Sequence, residues 1–195
     1  MITVVGLGNP GEEYAKTRHN AGRIILESLA REHGFSDWRD DTKTHARICK
    51  GNISALTMQF VLPDNYMNNS GGSVKPFVKE ESDLEKVVVV YDDIDLPVGT
   101  MKVSFDRGTG GHNGLGSIMQ VLGTGAFLRV RVGICPVTPE GEMNKPKGEG
   151  ATADFVLKNF KSAEIEALAS VTEKVRDALV VYAKEGKERV MNVFN

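Results

Sequence analysis

The sequence predicts an α/β domain, and three features carry that prediction. Two short apolar runs, residues 2–7 and 87–91, have the length and β-branched content of strands buried on both faces. Apolar residues recur at helical spacing after Asn20 (Ile24, Ile25, Leu26, Leu29, Ala30), over 115–122 and over 163–182. Strands and helices alternate along the chain, the pattern of layered α/β architecture. A length of 195 residues suits one large domain, read as a single unit over 1–195 with no internal repeat.

Element by element, residues 2–7 form the first strand and leave it through Gly6-Leu7-Gly8-Asn9-Pro10-Gly11. Residues 53–62 and 127–134 are further strands. In the second, Leu128, Val130 and Val132 alternate with Arg129 and Arg131, so one face is expected buried and the other wet. Asn20, Asn113 and Ser162 stand where N-caps of the three helices belong. Residues 136–152, rich in Pro, Gly, Glu and Lys, read as a mobile loop, because too little chain follows for a second core.

Composition narrows the function classes. Hydrophobic residues at 41% and charged residues at 26% are ordinary globular values. The formal charge of −2 does not point to nucleic acid, so any such partner must meet a local basic patch. Cys49 and Cys135 are far apart and outside any C-x-x-C, which supports neither a disulfide framework nor zinc and fits a reducing compartment. The N-terminal apolar run is too short for a signal peptide, and no segment reaches the ~18 apolar residues of a membrane span. A soluble, cytoplasmic protein with no membrane contact is expected.

The glycine loop after the first strand matches the dinucleotide fingerprint G-x-G-x-x-G. That fingerprint requires a helix to start within the loop. Here helical spacing begins near Asn20, and Pro10 removes an N–H that would cradle phosphate. The loop reads better as a tight strand exit that aims Asn9.

Four polar clusters lie beside strand ends or helix starts: Asn9 with Tyr14 and 17–20; residues 65–72; Asp92, Asp93 and Asp95 after the 87–91 strand; and 108–114, which contains His112 and Asn113. Ligands in α/β sheets bind beyond the carboxyl ends of strands, so these loops could share a cleft. Each also has a plain structural use as cap, turn or solvated corner. Carboxylates could hold Mg²⁺, but no ligand motif supports a metal. Zinc spacing and a G-x-S-x-G elbow are both missing, and neither cysteine lies in a cluster. A histidine base activating water, oriented by an aspartate, remains.

The clusters, as G-L-G-N-P-G-x-x-Y, T-R-H-N-A-G, Y-M-N-x-S-G, D-D-I-D-L-P-x-G and G-G-H-N-G-L, resemble the bacterial-type peptidyl-tRNA hydrolase family in order and spacing, over 2–160. The resemblance implies a twisted mixed central sheet flanked by helices, a monomer, no cofactor and no metal. It implies hydrolysis of the ester between a peptide and the 3′ end of tRNA, with peptidyl-tRNA the partner through its 3′ end and acceptor stem. By position, His19 would be the base and Asp92 its orienting carboxylate. Asn9 would contact substrate near the ester and help tell blocked from free aminoacyl-tRNA. Asn68 and Asn113 would bond the peptide or terminal nucleotide, and Tyr14, Tyr66 and Met67 would line the groove. Three departures stand out: Thr109 replaces a frequent histidine; Ser104 replaces one of two basic residues that clamp the 5′-phosphate, leaving Arg131 and nearby Lys102; and the 136–152 loop is long. The alternative is a catalytically silent RNA-binding protein on the same fold.

Overall fold

The computed structural model describes residues 1–195, the side chain of Glu149 excepted. Seven strands form one sheet: β1 (Ile2–Gly6), β2 (Arg39–Asp41), β3 (Ala46–Ile53), β4 (Leu56–Pro63), β5 (Val87–Pro97), β6 (Met101–Phe105) and β7 (Leu128–Cys135). Five α-helices accompany them: α1 (Ala21–Glu32), α2 (Ser70–Val74), α3 (Asn113–Leu122), α4 (Glu149–Val156) and α5 (Ser162–Phe194). The strand order is β2-β3-β4-β1-β5-β7-β6. The four central strands are mutually parallel, and antiparallel pairs close both edges, so the sheet is mixed.

The valine run of β5 explains its place in the middle. Val88 and Val90 enter the core shared with α1 and α5, whereas Val87, Val89 and Tyr91 enter the opposite core with Leu115 and Ile118 of α3. A strand apolar on both faces is stable only when both are covered.

Several boundaries differ from expectation. The segment 53–62 is not one strand: Ser54 and Ala55, both at positive φ (49° and 63°), turn the chain from β3 into β4. A left-handed turn built without Gly or Asn is unmarked in sequence. The aspartates expected in a loop lie inside β5, whose register against β7 shifts between Asp93 and Pro97. The wet face expected of β7 is half wrong, because Arg129 is fully buried. Its guanidinium donates to the carbonyls of Gly108 (2.9 Å) and Gly125 (3.1 Å), so the 108–114 loop covers it. Helix α4 starts within the presumed 136–152 loop, and α5 runs well past Tyr182 to Phe194, with non-helical backbone at Gly186.

The caps differ too. Asn20 sits at the α1 N-cap position but makes no capping bond. His112, not Asn113, caps α3, and Lys161, not Ser162, precedes α5.

The close seat of α1 on the sheet matters most for the site. A Cβ on Gly22 would lie 2.2 Å from the Val90 carbonyl oxygen and 2.6 Å from the Leu7 nitrogen. Only glycine lets the first turn of α1 touch the ends of β1 and β5, where Arg23 N–H donates to the Leu7 carbonyl (3.2 Å). A Gly22→Ala protein should lose about 1–3 kcal/mol of stability from overpacking, measured as a melting temperature several degrees lower.

Candidate active site

His19 sits on a 3₁₀ turn (Arg18–Asn20) that leads into α1, and Asp92 lies near the end of β5. Gly22 draws that turn against β5, so residues 73 positions apart in sequence meet. Nδ1 of His19 lies 2.9 Å from Oδ1 and 3.0 Å from Oδ2 of Asp92. The turn is fixed from behind by Arg18, which is buried. Its guanidinium donates to Glu164 (2.7 Å) at the start of α5 and lies over the Phe155 ring.

A second histidine joins them. Nε2 of His112 lies 2.9 Å from Oδ1 of Asp92, and its Nδ1 accepts the Leu115 backbone N–H (3.2 Å) as the cap of α3. Because Nδ1 accepts, the ring proton belongs on Nε2, which donates to Asp92. Sequence reasoning placed His112 in a cluster but gave it no role. Its position in G-G-H-N, one residue before a helix, was the available signal.

The electrostatics follow. Burial alone would raise the Asp92 carboxyl, but the charges and hydrogen bonds of His19 and His112 hold it far below the usual range. Burial alone would lower His19, but the Asp92 charge and hydrogen bond outweigh it, so its pKa ends above 6.5. With Nδ1 committed to Asp92, Nε2 of His19 is the free basic nitrogen.

His19, Asp92, His112 and Asn113 line a cleft of about 930 Å³. Its far wall comes from the segment with no assigned role: Lys145, Pro146, Gly148 and Thr152, with Lys145 ion-paired to Asp95. Arg107 and Arg131 add positive charge, and Arg131 donates to Asp93 (2.7 Å). Lys102 pairs across strands with Arg131, whereas Ser104 faces Arg129 and its buried hydroxyl has no partner among the described residues.

Of the other expected residues, Asn9, Tyr14, Tyr66, Met67 and Asn68 do not line this cleft. Asn9 lines a neighbouring hollow of about 310 Å³ with Asn20, Arg23 and Arg47. It is held on three sides: its N–H donates to Asn20 Oδ1 (2.8 Å), its carbonyl accepts from Asn20 Nδ2 (2.9 Å), and its Oδ1 accepts from the Met67 N–H (2.8 Å). Its Nδ2 makes no hydrogen bond among the described residues. The Asn20 side chain is thus an Asn9 clamp rather than a helix cap, a use that spacing does not reveal. Met67 is buried, so it packs and donates its backbone N–H rather than forming groove wall. Asn68 beside it is exposed, and Tyr14 and Tyr66 meet edge to face at 6.4 Å.

His19, Asp92 and His112 also have the composition of a metal site, with ligand atoms within 4.8 Å of one another. Those same atoms satisfy one another by hydrogen bonding, which explains their placement without an ion.

A histidine–aspartate pair beside a cleft at the strand ends of a mixed sheet is an arrangement suited to general acid–base chemistry, the class of site that hydrolytic α/β enzymes use. Comparison with known proteins names the member: residues 3–195 match the family model described as peptidyl-tRNA hydrolase, and the chain belongs to that family. It is 40% identical to the peptidyl-tRNA hydrolase of Syntrophotalea carbinolica, covering 100% of this chain and 97% of that one. It is 39% identical to that of Leifsonia xyli, covering 98% and 95%. The crystal structure of peptidyl-tRNA hydrolase from Acinetobacter baumannii superposes with a TM-score of 0.86 at 33% identity, covering 100% of this chain and 94% of that one. The protein is an enzyme that hydrolyses peptidyl-tRNA. Among the described residues no helix is long and apolar enough to cross a membrane.

A base must be unprotonated to work, so with His19 read as the base activity should fall as pH drops through its pKa, which is raised from the ordinary value. Replacing Asp92 by Asn removes the charge that raises it. The acidic limb of kcat/KM for Asp92→Asn should therefore move to lower pH while the plateau kcat falls, as a pH–rate profile would show.

Proposed function

We propose that His19 takes a proton from water through Nε2 as the water attacks the carbonyl of the ester joining peptide to tRNA. Asp92 holds the ring in the Nδ1–H tautomer and stabilises the imidazolium that forms. When the tetrahedral intermediate collapses, His19 returns the proton to the departing ribose oxygen, so no covalent enzyme intermediate is needed. The observation that carries this reading is the double contact of His19 Nδ1 with both oxygens of buried Asp92, at the wall of an open cleft. His112 acts as a positioning residue: its N–H fills the remaining acceptor site on Asp92 Oδ1 and ties it to α3.

Asn9, locked by Asn20 and Met67, offers Nδ2 to the acyl group. Asn68 and Asn113 bond the peptide or the terminal nucleotide, and the Tyr14–Tyr66 pair gives an aromatic surface beside them. The cleft accepts the 3′ end and acceptor stem, with Arg131, Lys102 and Arg107 near phosphate. The protein works as a cytoplasmic monomer of one domain, without metal, and returns tRNA from prematurely released peptidyl-tRNA to use.

Replacing His19 by Ala should cut hydrolysis of N-acetyl-aminoacyl-tRNA by about 10²–10⁴-fold, the usual worth of a general base. Normal turnover by that protein would remove the mechanism, and loss of wild-type activity on treatment with a chelator would restore the metal reading. Because phosphate contacts release counterions, KM should rise with salt, and Arg131→Gln should flatten that dependence. Steady-state rates across ionic strengths check both.

A further inference from the structure

The substrate of this enzyme and the far more abundant aminoacyl-tRNA differ at one place. The α-nitrogen is an uncharged amide in the first and an ammonium in the second. A site can therefore separate them by hydrogen bonding to the amide or by charge. The hollow beside Asn9 contains a cation suited to the second method.

Arg23 stands on the first turn of α1, and its side chain is 8% exposed. Its stem packs under Gly8 beside the Asn20 amide: a Cβ on Gly8 would lie 2.6 Å from Arg23 Cδ and 2.9 Å from Asn20 Cγ. Arg23 thus lies directly behind the Asn9–Asn20 pair. Its one strong bond goes to a neutral group, the Pro63 carbonyl (2.6 Å). The nearest carboxylate, Asp64, is half exposed and 3.9 Å away. Glu27 of α1 leans toward Arg47 of β3 at 3.7 Å, and Arg47 adds a second positive charge facing Arg23. Glu12 stands on the exposed rim. Burial lowers the Arg23 pKa, and the attraction of Glu27 and Asp64 does not restore it. Carboxylates in solvent are screened, whereas a buried guanidinium projects its field through protein. Arg23 is therefore the least screened of the charges that line the hollow beside Asn9.

We propose that Arg23 makes the acyl subsite reject an α-ammonium, so that unblocked aminoacyl-tRNA is refused by charge as well as by the amide contact of Asn9. This rests on the proposed role of Asn9 at the acyl group. Two like charges about 6–8 Å apart at an effective dielectric of ~20 disfavour each other roughly 30- to 100-fold. The rim carboxylates reduce that, leaving an expected contribution of about tenfold.

The test is the ratio of kcat/KM for N-acetyl-aminoacyl-tRNA to that for the same aminoacyl-tRNA unblocked. In Arg23→Met the ratio should fall about tenfold; an unchanged ratio overturns the proposal. Two measurements on the wild-type enzyme need no variant. The ratio should fall as pH rises through the α-amino pKa of about 7.7–8.0, since the neutral amine is not repelled. The deaminated α-hydroxyacyl-tRNA, with neither charge nor amide, should be cleaved at a rate nearer the acetylated substrate than the free one. If it is refused as strongly as free aminoacyl-tRNA, the subsite reads only the amide and the charge mechanism is wrong. Failure to cleave the acetylated substrate at all would instead refute the function proposed above.

Discussion

The carboxylate of Asp92 is the constraint around which the rest is arranged. A buried, ionised carboxyl group without partners costs several kcal/mol, so its neighbours must supply N–H donors from fixed directions. Two imidazoles do so, one from the turn before α1 and one from the cap of α3. The same two bonds that make the charge tolerable set the tautomers of both rings. Stability and the proposed catalysis therefore draw on one arrangement: the geometry that satisfies Asp92 is the geometry that leaves His19 Nε2 basic and free.

Meeting that constraint demands close packing, which glycine permits at two points. Gly22 lets α1 approach β1 and β5, and Gly114 makes room for the Met67 sulfur, since a Cβ there would lie 2.4 Å from Sδ. The first contact delivers His19. The second seats the turn carrying Asn68 against the helix start carrying Asn113, and the Met67 N–H from that turn fixes Asn9. A cleft made of loops is in this way held by contacts between regular elements, which is what positions side chains accurately.

Much of this was legible in sequence. The buried strands 2–7 and 87–91 and the three main helices follow from apolar spacing alone, and the polar clusters at their ends mark where ligands meet an α/β sheet. The pairing of His19 with Asp92 was read from motifs and a family resemblance, not from periodicity, because no local pattern encodes a contact across 73 positions. What stayed illegible has physical causes. The Ser54-Ala55 turn uses residues with no turn preference. Arg129 looks solvent-facing until the loop over it is known. His112 and Asn20 satisfy local rules, as cap and near-cap, that conceal their long-range partners. The strand reading of 87–91 stopped short because aspartates rarely continue a strand, whereas here their side chains face a cleft and two cations.

Those cations bear on how an acidic protein takes a polyanion. With a net charge of −2, the surface has no general attraction for RNA to exploit. Two of the three Arg and Lys side chains lining the cleft are instead already engaged, Arg131 with Asp93 and Lys145 with Asp95. Phosphate arriving at Arg131 or Lys145 must displace or share an aspartate, so binding there becomes an exchange of partners and its net gain is small. Weak, salt-sensitive contact of that kind suits an enzyme that must sample many tRNAs and retain few. Under the proposals above, selection is left to the acyl end, where the buried charge of Arg23 and the locked amide of Asn9 would face the part of the molecule that differs.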